Sequence, residues 1–172
     1  MRLSHFSSSC LTRVLMGSAW GILCALILAA PVLARHSCHS VASVLYFFFS
    51  PLCHQIPARS FKLCGYPLAV CHRCSGIYLG MFLGTFFGNR TIQNCMNARR
   101  VLVLCAIVPI SLDALASFAG FWTGFALIRF STGLLFGTLI SPLFVCAFTE
   151  FLNEAQWQKF IMQIPQFKGD LS

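Results

Sequence analysis

Four cysteines and two histidines crowd into residues 53–74: Cys53-His54, then Cys64, then Cys71-His72-Arg73-Cys74. The whole chain has ten cysteines and five histidines, so this 22-residue stretch holds an outsized share of its ligating side chains. A Cys-x-x-Cys pair can bite one metal ion with both thiolates, and a distant Cys-His pair can complete a tetrahedral site. The same two cysteines are also a dithiol able to close into a disulfide. Arg73, a helix N-terminus and an imidazolium at His72 would each lower a thiolate pKa there. A zinc ribbon carries two Cys-x-x-Cys knuckles, whereas this chain has one plus Cys-His. Three readings therefore stand together: a metal site, a redox dithiol, and small apolar fillers of the kind expected at Cys24, Cys105 and Cys146. Zinc is the first expectation for such ligands, with another transition metal as the alternative.

A second chemical signal is a single carboxylate inside an apolar run, Asp113. An intramembrane acid is costly and marks a functional candidate, either a polar anchor or a proton or cation site. Arg129 opens the next apolar run. In an antiparallel hairpin the two would lie about 15–18 Å apart along the axis, from the 1.5 Å rise per residue. A direct pair would need a helix broken at Pro109, so Arg129 is expected to snorkel towards the interface.

The elements that must position these groups belong to a membrane protein. The 172 residues are 58% hydrophobic and 9% charged, with a mean hydropathy of +0.78. A soluble domain is about 45–50% apolar and about 25% charged. The net charge of +8 is spread thinly between apolar runs, which fits membrane flanks and argues against nucleic acid. Apolar runs at Val14–Ala34, Val101–Phe118 (with Asp113) and Leu127–Phe148 (with Arg129), and another from Pro67 to about Phe87 (with Arg73), predict about four spans. The expected fold is an all-α polytopic helical bundle. The first run resembles a secretory signal but is long for one, and reads as an uncleaved anchor. Val41–Leu52 is too short to span and is expected to be re-entrant or interfacial, ending at Pro51. From Glu150 a tail with Trp157, Phe160, Ile161 and Ile164 at helical spacing predicts an interfacial amphipathic helix. The chain thus divides into an anchor (1–35), a short apolar segment with the Cys/His loop (36–66), a three-span core (67–148) and the tail (149–172).

Gly76, Gly80, Gly84 and Gly88 recur every fourth residue on one helix face, the spacing that lets helix backbones meet closely in lipid. Packing within the chain is the first expectation for this stripe, and a homo-oligomer seam the second. Positive charge at Arg2, Arg13, Arg90, Arg99, Arg100, Lys159 and Lys168 predicts cytoplasmic termini and an outward-facing 53–74 region. Nucleotide loops, nucleophile elbows and zinc-protease helix motifs are absent from the sequence. The only enzymatic candidate is the dithiol. A small transporter coupled through Asp113 is a weaker alternative, because no second intramembrane acid forms a relay.

The segments FFFSPLCHQIPARSF, PLAVCHRCSGIYLG, PISLDAL and RFSTGLLFG, in that order, resemble the small prokaryotic membrane proteins grouped as domain of unknown function 2085. The resemblance runs from about Phe47 to Phe148. It implies a multi-span protein of a prokaryotic inner membrane whose signature positions match Cys53, His54, Gln55, Arg59, Ser60, Phe61, Cys71, Arg73, Cys74, Gly76, Asp113, Arg129 and Gly133. It supplies an architecture and a residue set rather than a reaction. Cys64 and His72 lie outside the usual pattern, which shifts a metal site towards Cys53, His54, Cys71 and Cys74.

Overall fold

The computed structural model describes residues 2–87, 96–119 and 125–153, and is an all-α membrane helical bundle. Helix α1 covers Arg2–Arg35, α2 His39–Phe49, α3 His72–Phe87, α4 Met96–Phe118 and α5 Ala126–Asn153. Segments within α1, α4 and α5 (Cys10–Arg35, Arg99–Phe118 and Ala126–Phe151) are long and apolar enough to cross a membrane. Pro31, Pro109 and Pro142 sit inside these helices without ending them, so the break invoked at Pro109 does not occur. The tail residues Trp157, Phe160, Ile161 and Ile164 and the glycine Gly88 lie outside the described residues, as does most of the basic 89–100 connection.

The expected second span begins later than its apolar run suggests. Lys62–Leu63 (β1) and Tyr66–Pro67 (β2) form a two-stranded antiparallel hairpin, with Lys62 opposite Pro67 and Leu63 opposite Tyr66. Its two-residue turn places both Cys64 (φ 56°) and Gly65 (φ 88°) in the left-handed region, the geometry of a type I′ turn. Pro67 is therefore strand, the chain bends at Ala69 and Val70, and α3 starts at His72. At 16 residues the described α3 is about 24 Å long, short of the roughly 30 Å hydrocarbon thickness.

Helix directions follow from which residues meet. Along α3, Gly76, Gly80 and Gly84 face Phe130, Leu134 and Thr138 of α5 in rising order, so these helices run parallel. Helix α1 runs against α3, since Gly17 faces Phe86 and Gly21 faces Phe82. A Cβ on Gly84 would come within 2.6 Å of the Thr138 carbonyl oxygen, and one on Gly80 within 2.9 Å of the Thr138 nitrogen. Gly133 and Gly137 answer from α5, each against the α3 backbone. The glycine stripe is thus seated on a helix of the same chain. Thr85 and Ser141 hydroxyls meet at 3.1 Å in this seam, and both donate to the Met81 carbonyl at 2.8 Å. Such small-residue packing with hydroxyl cross-links substitutes for the hydrophobic drive that lipid removes.

The core lies at one end of the bundle. Ile27 and Ala30 of α1, Phe49 of α2 and the connecting Leu68-Ala69-Val70 bury one another around Cys53. Tyr78 of α3 packs edge-on to Phe49 and also contacts Trp20. This apolar plug fixes the loop on which the cysteines sit.

Candidate metal centre and adjoining cavity

Helix α2 ends at Phe49, as Pro51 dictates, and a tight turn brings the Cys53 N–H back to the Phe49 carbonyl at 3.0 Å. Cys53 is buried by that turn. Gln55, held at φ 47°, donates from Nε2 to the carbonyls of Tyr46 (2.6 Å) and Ala69 (2.8 Å). The Tyr46 hydroxyl donates to the Pro67 carbonyl at 2.5 Å. These bonds clamp α2 to the segment that leads into α3, and so bring Cys53 to Cys71. The Cys71 N–H donates to Cys53 Sγ at 3.2 Å.

One turn of α3 completes the group. The Ser75 N–H and hydroxyl both donate to the Cys71 carbonyl, which starts the helix and places Cys74 beside Cys71, their sulfurs 3.5 Å apart. The sulfurs of Cys53, Cys71 and Cys74 all lie within 4.8 Å of one another. A tetrahedral zinc ion with bonds of about 2.3 Å sets its sulfurs roughly 3.8 Å apart, so the group has the right span for one ion. No disulfide occurs among the described residues. Hydrogen bonds from Cys53 and then Cys74 hold the Cys71 thiol far below its usual pKa. One sulfur is thus a ready anion, and two more stand within reach.

His54, expected as the fourth ligand, is exposed and is not part of this three-sulfur group. It lines instead a cavity of about 450 Å³ that opens beside Cys71. Cys64 stands exposed at the hairpin tip, apart from the group.

Asp113 is buried, but its partner is not on the neighbouring hairpin helix. Arg73, from the first turn of α3, forms an ion pair with it, with Nε donating to Oδ2 at 3.0 Å. Since α3 runs against α4, its N-terminus meets the C-terminal half of α4 with no helix break. Arg129 also departs from expectation: it is 7% exposed, turned into the protein rather than snorkelling, and its Nη2 donates to Ser117 Oγ at 3.4 Å. The site residues that the chemical reading passed over are Gln55 and Ser117. Gln55 stands in the signature motif, where its place beside Cys53-His54 was the available signal. Ser117 has no comparable signal in the sequence. Phe61, another signature residue, packs its ring on His72 and Phe130.

With this geometry in hand, comparison with known proteins places the chain. It belongs to the family described as "Predicted membrane protein (DUF2085)", whose model matches residues 53–143. It is similar to an uncharacterised protein of Methanocaldococcus jannaschii, 31% identical over 99 residues that cover 56% of this chain and 64% of that protein. An uncharacterised protein of Methanothermobacter thermautotrophicus is 34% identical over 95 residues, covering 55% of this chain and 86% of that protein. No solved structure matches. The matched stretch begins at Cys53, so α1 and α2 lie outside it.

Proposed function

We propose that this integral membrane protein holds a transition-metal ion, zinc first, on the thiolates of Cys53, Cys71 and Cys74 at its outward-facing end. The observation that carries the reading is the convergence of three sulfurs within 4.8 Å, drawn from a loop and the first turn of α3. Thiolates select zinc, copper(I) or iron, and three of them leave a fourth position for a histidine, water or ligand. His54, next to Cys53 in sequence and exposed on the adjoining cavity, is the protein's own candidate for that position. The Cys71 N–H bond to Cys53 Sγ fixes the orientation of that sulfur. The surroundings suit a bound ion: an apolar plug behind the sulfurs and the positive end of α3 beside them. The basic residues distributed along the chain support termini in the cytoplasm and an inner-membrane location.

A thiol–disulfide role for Cys71 and Cys74 is the second reading, favoured by their 3.5 Å separation and the depressed Cys71 pKa. Alkylation of detergent-purified protein separates the two. A metal site predicts that the three cysteines resist a maleimide until a chelator is added, with no effect of reductant. A redox pair predicts the reverse, with protection released by reductant alone. Thiols that react at once without either treatment would remove both readings.

A further inference from the structure

Three guanidinium groups line the cavity beside Cys71. Arg59 comes from the short helical turn Pro57–Arg59, Arg73 from the start of α3, and Arg129 from the start of α5. His54 and His72 line it as well, and no carboxylate does among the described residues. Within the described residues Asp113 is the one carboxylate near it, and it is paired with Arg73. Counting both Asp113 and Cys71 as anions, the three guanidiniums still leave one positive charge in excess. Guanidinium groups stay protonated, so these three positive charges are fixed. Helix α3 adds its N-terminal dipole end. His72, 8% exposed, has a buried Nδ1 with no hydrogen-bond partner among the described residues.

Three arginines from three separate elements converge on one cavity at the end of the bundle, where a bound anion would be shared among them. The volume of about 450 Å³ falls within the roughly 300–1,000 Å³ of small-molecule sites. Planar guanidiniums match phosphate oxygens with paired hydrogen bonds, so three of them around one cavity suit a phosphate. Apolar groups stand beside the polar ones: Ile56 on the loop and Phe118 of α4, the latter 93% exposed. Ser117 adds a hydroxyl to the lining.

We propose that this cavity binds a phosphate group, with Arg59, Arg73 and Arg129 as its cationic partners. The site stands whether or not the three sulfurs hold a metal. The phosphate arrives either on a soluble molecule or as a lipid headgroup whose chains lie past Phe118. Binding to the full chain in a phospholipid-free, non-ionic detergent distinguishes these sources. One arm titrates inorganic phosphate at constant ionic strength set with chloride. The other titrates phosphatidic acid in mixed micelles, with diacylglycerol as the phosphate-free control. Saturable binding of inorganic phosphate supports a soluble ligand; saturable binding of phosphatidic acid alone supports a headgroup. In either case Arg59→Ala, on an exposed turn, is expected to weaken binding by about tenfold or more, the loss of a charge-assisted hydrogen bond. Lys62→Ala, an exposed cation outside the cavity, is expected to leave it unchanged. Arg129→Gln is expected to weaken binding further where the variant folds. Saturable binding of neither probe, or equal binding by wild type and Arg59→Ala, overturns the proposal.

Discussion

Asp113 and Arg73 stand 40 residues apart in sequence and share one ion pair. The carboxylate is the more deeply buried partner; the Arg73 side chain keeps a quarter of its surface exposed. Removing one member of a buried pair costs about 3–5 kcal/mol, and the partial exposure of Arg73 puts Asp113→Ala near the lower end. Arg73→Met together with Asp113→Leu is expected to lose less stability than the two single changes summed, measured by thermal unfolding in one detergent. Additive losses would show that the two side chains do not interact. Cys71 supports a pH prediction at the same scale. Its pKa is depressed by hydrogen bonds from Cys53 and Cys74, so its thiolate persists as pH falls below about 8.5, where a free thiol protonates. In metal-stripped protein, the pH midpoint for alkylating Cys71 should therefore lie below that of a small-molecule thiol in the same buffer. Coincident midpoints would mean that the neighbouring thiols do not stabilise the Cys71 anion.

The tightest helix contact is that of α3 with α5, where Gly76, Gly80 and Gly84 meet backbone rather than side chains. Overpacking usually costs about 1–3 kcal/mol, and a peptide group yields less than a side chain, so Gly80→Ile and Gly84→Ile should reach at least that range. Thermal stability equal to wild type in the same detergent would place the stripe elsewhere. This contact was half legible in the sequence: the four-residue spacing marks a packing face, but the matching pair Gly133 and Gly137 is what identifies its partner. The long helices were legible because apolar runs of that length have few alternatives in lipid. The start of α3 was not. Pro67 and the residues after it are apolar, yet the Cys64-Gly65 turn draws Pro67 into a hairpin whose pairing no hydropathy pattern displays. The Arg73–Asp113 pair was missed for a topological reason. Sequence neighbours suggested α4 with α5, whereas the antiparallel course of α3 and α4 brings the ends of those two helices together.

At the scale of the whole molecule, α1, α3 and α4 run alternately and α5 runs with α3. The cysteines, the arginine-lined cavity and the ion pair consequently gather at one end of the bundle. Reporter fusions at Asn94 and after Phe160 are expected in the cytoplasm and one at Ile56 on the opposite side, following the positive-inside rule. Opposite signs at Asn94 and Phe160 would contradict this topology. The three sulfurs are the point on which the functional account turns, and elemental analysis of protein purified in detergent under reductant addresses them most directly. The account predicts about one equivalent of zinc or another thiolate-selecting metal per chain, lost in Cys53→Ser and in Cys74→Ser variants that stay folded. Wild-type protein that carries no metal and takes up none when zinc is supplied to the reduced thiols would contradict it.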